Sequence, residues 1–248
     1  MTKRYNNPPL VEVLCEFQFV EDAEWDLTLL GQIYDKLKDS FPKKLQLPLN
    51  FAVTINSQTN GQTGTAPMIP LVRFLDNDEK KLVQIGQDLL TVNHVKPYDS
   101  WKEFLPFIEK AFEAYCEIAK PKRLQHLAIR YINRIEVPGS NTNLEKLFRI
   151  RPYIPPDWAQ GIESFLLGVN LPYEDIKDTL RIQLGTLNPD VPDMLVLALE
   201  IGYFFTKPGE IALGDALRRV DKAQKYIEDA FESCLTDELK QTFGEVKE

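Results

Sequence analysis

Two carboxylates, Glu12 and Glu16, interrupt an otherwise apolar run in NPPLVEVLCEFQF (Asn7–Phe19). Two guanidinium groups, Arg130 and Arg134, punctuate LAIRYINRIEVP (Leu127–Pro138) at the same spacing of four. In an extended chain, residues i and i+4 share one face and lie about 13 Å apart. That separation is too long for Glu12 and Glu16 to share a proton, so they form no acid–base dyad by themselves. What the spacing does suit is charge pairing between strands, or a polar groove that holds a ligand or peptide. A shift of 118 residues overlays Glu12 on Arg130 and Glu16 on Arg134, acids in one segment and bases in the other. If the two segments pair antiparallel with Leu14 opposite Ile132, Glu12 meets Arg134 and Glu16 meets Arg130. Each such cross-strand pair is worth about 0.2–1 kcal/mol, and arginine stays charged and engages carboxylates through two donors. Alternation in other segments adds Arg73, Gln84, Arg181, Gln183 and Glu200 to the same face. These nine residues are the candidate ligand- or partner-binding set; no catalytic residue, metal ligand or cofactor is assigned.

The residue types carry few signs of other chemistries. The two histidines, His94 and His126, have no metal-ligand spacing, and no HExxH or Cys/His cluster is present. There is no GxSxG elbow, Walker loop or GxGxxG, and GQTGT (Gly61–Thr65) lacks the GK[ST] of a phosphate cradle. Cys15, Cys116 and Cys234 are odd in number and fall on apolar periodic positions, which reads as core packing rather than a disulfide framework. Triphosphate-tunnel enzymes carry Glu-x-Glu-x-Lys on their first strand; here Leu14 takes the middle position and no Lys follows.

The elements that must position the nine residues follow from periodicity. Val11–Phe19 alternates and is a strand, with Val13, Cys15, Phe17 and Phe19 on the face opposite the glutamates. Trp25, Leu29, Ile33 and Leu37 recur at helical spacing, and Pro42 stops that helix. Strands are predicted at Phe51–Asn56 and near Val72, with a Gly/Thr/Asn-rich loop at Ser57–Pro67, and a single long strand after the DNDEK turn, through Leu82–Asn93. A long helix spans Tyr98–Ala119, capped by Asp99 or Ser100, with Pro106 near its first turns. The second half repeats the order: strand, short helix at NLEKLF, three strands (ESFLLGVNLPY, DTLRIQLGTL, DMLVLALEIGYFF), and a long helix from Leu213 to Phe243. FIEKAFE (Phe107–Glu113) and YIEDAFE (Tyr226–Glu232) match at five of seven positions, a local echo of duplication.

The 248 residues are 44% hydrophobic and 27% charged, enough for a substantial core. The net charge of −8 argues against a general grip on nucleic acid. Lys120–Arg151 holds eight Lys/Arg and two Glu, so this stretch is +6 against −14 elsewhere; it is either charge balance or a patch for phosphate or an acidic partner. The longest apolar run, Met194–Phe205, contains Glu200 and is too short to span a bilayer. With no apolar leader in MTKRYNNPP, a cytoplasmic location and no membrane association are expected.

Several motifs together resemble one family: Asn-Pro-Pro before the first strand, Gln-x(8)-Asn (Gln84, Asn93), Tyr98 with Trp101, Arg-Tyr-x-Asn-Arg (Arg130–Arg134), and FESCLTDELKQTFG near the end. The family is a sporadically distributed, functionally uncharacterised prokaryotic family of about 250 residues. The resemblance spans nearly the whole chain and brings no catalytic residues with it. It implies one architectural unit, 1–248, and a patchy occurrence like that of defence and toxin–antitoxin cargo. Within the motif, Tyr131 and Asn133 point away from Arg130 and Arg134, so Tyr131 is expected to cap the core and Asn133 to tie a strand.

The fold class expected is α+β: a large, twisted, mainly antiparallel sheet of about eight strands from two β-α-β-β-β-α halves (1–121 and 122–248). Two long helices pack on one face, in the manner of helix-grip or TATA-binding-protein-like saddles. The function expected is a non-catalytic binding module with a protein partner, a recognition subunit of a prokaryotic defence or toxin–antitoxin system. The alternative is a metal-dependent enzyme or sensor for a phosphorylated small molecule. There Arg130, Arg134, Arg73 and Arg181 clamp phosphate and Glu12, Glu16 or Glu200 hold a divalent ion. Oligomeric state is left open.

Overall fold

A computed structural model describes residues 5–20, 25–46, 72–139, 143–155, 157, 162–173 and 178–245. The strand expected at Phe51–Asn56 and the loop at Ser57–Pro67 lie outside these residues.

Among the described residues, nine strands form one open antiparallel sheet: β1 (Leu10–Phe19), β2 (Lys43–Gln46), β3 (Val72–Leu75), β4 (Lys81–Gly86), β5 (Leu89–Val95), β6 (Leu124–Pro138), β7 (Leu166–Tyr173), β8 (Asp178–Leu187) and β9 (Met194–Phe205). Their order is β2-β3-β4-β5-β1-β6-β9-β8-β7. The leading strand of each half lies at the centre and is flanked by the last strand of its own half, β5 beside β1 and β9 beside β6. The α+β class and the central β1–β6 antiparallel pair expected from the residues are therefore present.

One face carries the core. Val13, Cys15, Phe17 and Phe19 on β1 alternate into it, as do Leu127, Ile129 and Ile135 on β6 and Leu197, Leu199 and Ile201 on β9. The helices α1 (Thr28–Leu37), α2 (Trp101–Ala119) and α3 (Leu213–Cys234) all cover this face. Ile33 and Leu37 anchor α1, and Tyr34 packs on Phe74. Phe112 of α2 packs on Phe17, and Tyr115 stacks on Phe19 at 4.8 Å. Tyr226 of α3 lies against Tyr203 of β9. Burying a ring such as Phe17 stabilises by about 1.5–3 kcal/mol, and truncating it to Ala leaves a cavity costing about 3–5 kcal/mol. Ser100 caps α2, its Oγ accepting from Glu103 N at 3.2 Å.

Three expectations are corrected. The single strand read through Leu82–Asn93 is a hairpin, β4–β5, whose turn at Gln87–Asp88 places Asp88 at φ 57°. Lys43–Gln46 forms an unanticipated edge strand, whose lysines suit an edge. The helix expected from Leu213 to Phe243 ends at Cys234. Leu235 is extended, Thr236 caps a new turn by accepting from Leu239 N, and α4 (Asp237–Thr242) follows. Among the described residues, no helix is long and apolar enough to cross a membrane.

Candidate functional site

Among the described residues, no α-helix packs on the second face of the sheet. Period-two alternation places all nine candidate residues there, because they share rows of that face across the strands. One row runs Asn170, Arg181, Gly202, Arg130, Leu14, Asn93. The next holds Gly168, Gln183, Glu200, Ile132 and Glu12. A third holds Phe204, Ala128, Glu16, Thr91, Gln84 and Arg73, and Arg134 lies opposite Ala198.

The expected charge pairs are not formed. Leu14 faces Arg130 rather than Ile132, so β1 and β6 are slipped by two residues from the expected register. Glu12 lies opposite Ile132 and Glu16 opposite Ala128. A two-residue slip leaves every side chain on its own face and is invisible to alternation. The strand ends set the register: Pro8 and Pro9 have no N–H, Pro9 O accepts from Arg134 N at 2.9 Å, and Val20 N donates to Arg123 O at 3.2 Å.

The charges find other partners, in two separate groups. On the β3–β4–β5 side a side-chain relay crosses four strands. Arg73 Nε donates to Gln84 Oε1 at 2.8 Å, Gln84 Nε2 to Asn93 Oδ1 at 3.0 Å, and Asn93 Nδ2 to Glu12 Oε1 at 2.6 Å. The Gln-x(8)-Asn spacing thus records a hydrogen bond across a hairpin. Between the groups, Glu16 lies 3.2 Å from His126 Nε2. Burial opposes the charge on Glu16, yet His126 and Arg130 together hold its pKa below the usual carboxylate value.

On the other side, β6, β9 and β8 form a cleft of about 430 Å³ that includes Arg130, Arg181, Gln183, Glu200 and Phe204 in its lining. Arg130 Nε donates to Glu200 Oε1 at 2.7 Å, with side chains only 14% and 19% exposed. Burial disfavours the guanidinium charge, but Glu200, then Glu16 and Glu12, outweigh it and raise its pKa. The Arg181 guanidinium lies over the Phe204 ring at 4.5 Å, and its Nε donates to Asn170 Oδ1 at 3.1 Å. Gly202 makes room for this arrangement. A Cβ there would sit 2.6 Å from the Phe204 ring and 3.1 Å from Arg130 Cγ.

The four arginines therefore do not converge. Arg130 and Arg181 line the cleft, Arg134 is tied to Glu136 at 2.6 Å and to Asp190, and Arg73 is held by Gln84 across the sheet. Among the described residues, no three acids, histidines or cysteines group to hold a metal ion. Each glutamate of the face has a partner: Glu12 has Asn93, Glu16 has His126 and Glu200 has Arg130. Of the basic residues in Lys120–Arg151, Arg130 and Arg134 are on this face, while Arg149 pairs with Asp237 and Arg151 with Glu145.

Asn93, His126, Phe204 and Gly202 belong to the site but not to the nine. Gly202, a glycine within a strand, was a legible sign of close approach; Asn93 was legible in its motif; His126 and Phe204 had no signal. No family model matches the chain, and no curated protein matches it.

Proposed function

We propose that this protein is a non-catalytic recognition module, and that the cleft on the helix-free face of the sheet receives a polar segment of a protein partner. The observation that carries this reading is the pairing within the face. Its carboxylates are engaged by Asn93, His126 and Arg130 rather than poised against a nucleophile or proton acceptor. Arg181, set on the Phe204 ring with its Nε bound to Asn170, lines the cleft with a guanidinium suited to a carboxylate or carbonyl, while Arg130–Glu200 beside it offers both signs of charge. A surface with fixed, mixed charge selects partners by complementarity more than by raw affinity. The patchy family that the chain resembles supplies the context we propose: a cytoplasmic subunit of a defence or toxin–antitoxin system.

The test is co-expression with the product of the adjacent gene, comparing the natural chain with Arg181→Glu. Co-purification lost in the variant, with an unchanged unfolding midpoint, supports the reading. The competing reading, a sensor or enzyme for a phosphorylated molecule, is examined by thermal shift with nucleoside triphosphates, with and without Mg²⁺. Stabilisation near the roughly 2.7 kcal/mol expected at 100-fold over Kd, dependent on the metal, would overturn the module proposal.

A further inference from the structure

The sheet ends in two edges that differ in chemistry, β2 and β7. β2 carries Lys43 and Lys44, which suit an edge that must stay unpaired. β7 reads LLGVNLPY and holds no charged residue. Among the described residues, no strand lies beyond it. Its apolar side chains are uncovered on both faces. Leu166, on the cleft side, is 71% exposed, and Leu171, on the helix side near Tyr226, is 40% exposed. A helix laid on one face would cover only one of them, whereas a strand added in the plane of the sheet covers both.

The backbone of this edge is open at alternate residues. Phe165 O accepts from Thr186 N at 3.1 Å, so Phe165, Leu167, Val169, Leu171 and Tyr173 turn their N–H and C=O groups toward β8. Leu166, Gly168, Asn170 and Pro172 turn theirs outward. Pro172 has no N–H, and its place in the outward set costs the β7–β8 ladder nothing. Gly168 stands between Leu166 and Asn170 in that set. A Cβ there would meet only the Gln183 side chain, at 3.9 Å, so packing within the chain does not require a glycine. A strand glycine without such a need marks a place where another backbone comes close.

We propose that β7 pairs antiparallel with β7 of a second copy of this chain, about a two-fold axis at Gly168, so that one sheet runs through a dimer. With Gly168 opposite Gly168, Leu166 lies opposite Asn170 in both directions. The outward N–H groups of Leu166, Gly168 and Asn170 then each find an outward C=O. Other axes do worse. An axis at Val169 sets Leu166 opposite Pro172 and leaves Leu166 O without a donor, and one at Leu167 sets Asn170 opposite Ser164, outside the strand. About Gly168, Leu167 meets Val169 and Phe165 meets Leu171 on the helix side, apolar against apolar. On the cleft side the two glycines meet at the axis, their Cα atoms about 5.5 Å apart. No like charges are brought together, whereas β2 paired with itself would oppose its lysines. Pairing like edge with like edge uses up β7 in both copies, so assembly closes at two.

The experiment is sedimentation equilibrium of the full chain at tens of micromolar, joined to hydrogen exchange. The natural chain is expected at twice its 28.6 kDa, and exchange over Leu166–Tyr173 is expected to slow at least about tenfold from dilute to concentrated samples. Gly168→Pro removes an outward donor from each copy and leaves the β8 ladder intact; it should raise the dissociation constant at least about tenfold. The Gly168→Lys and Gly168→Glu chains should associate more tightly when mixed than either does alone. Leu45→Lys, on β2, should leave the mass unchanged. Exchange is read on the natural chain, so it decides the matter even where Gly168→Pro fails to fold. A single-chain mass for the natural protein, exchange over Leu166–Tyr173 indifferent to concentration, a dimer untouched by Gly168→Pro or opened by Leu45→Lys, or no preference of the Gly168→Lys chain for the Gly168→Glu chain would each overturn the assignment.

Discussion

His94 makes stability depend on pH in a way that can be calculated and isolated. It lies on β5 opposite Val13 and Lys81, fully buried, with its ring 4.9 Å from Tyr98 and 5.4 Å from Phe104. Neither ring nitrogen has a hydrogen bond. Burial first, and Lys81 second, lower its pKa from 6.5 to about 4, against the opposing pull of Asp99 at 3.7 Å and of Asp76. The unfolded chain takes up a proton below 6.5, whereas the folded chain resists until about 4. His94 therefore imposes no loss well above pH 6.5, and stability falls as pH drops through the window from 6.5 to 4. The whole window corresponds to about 3 kcal/mol, of which roughly 2 kcal/mol is lost between pH 7 and pH 5. The perturbation is His94→Phe, which keeps a ring against Tyr98 and Phe104 and removes the titrating group. Urea unfolding of both proteins at pH 7 and pH 5 gives two losses, and the variant's should be smaller by roughly 2 kcal/mol. His126 and all carboxylates are common to both proteins and cancel in the comparison. Equal losses would refute the reasoning, because they would mean that the buried imidazole accepts a proton as readily as in the unfolded chain.

Three further outcomes are expected. Glu200→Ala strands a guanidinium that is 14% exposed, and should cost about 2 kcal/mol in denaturant unfolding; the double variant with Arg130→Met should recover most of it, and additive losses would contradict the pair. Gly202→Ala places a methyl group against Phe204 and Arg130 Cγ, and should cost about 1–2 kcal/mol, seen as a lower denaturation midpoint; an unchanged midpoint would show that the strand has room to spare. Burial raises the thiol pKa of Cys15, of Cys116 to about 12 and of Cys234 to about 11. Their reaction with a disulfide reagent at pH 8 should therefore be at least about tenfold slower in the native protein than in urea, and a rapid native phase would contradict that burial.

Alternation of side chains along strands is a local property, so the sequence by itself determined which face each residue joins. Glu12, Glu16, Arg130, Arg134, Arg181 and Glu200 are on the helix-free face, and Cys15, Phe17, Tyr131 and Asn133 on the core face, where Asn133 ties Leu199 O as a buried amide must. Two amphipathic helices were legible from their own helical period, whereas the central pairing of the leading strands was inferred from a charge match that the observed register does not make. Tertiary structure decided the rest. The slide of β1 along β6 preserves every face when it moves by two, so only the anchored ends at Pro9 and Val20 could choose Arg130 rather than Ile132 for Leu14. The β4–β5 turn hid inside an apolar run because two residues suffice for it once Asp88 adopts a positive φ. The cavity lined by Pro8, Pro9, Tyr98, Tyr131 and Gln224 draws on distant segments of the chain, and it exists only after the chain has closed around it.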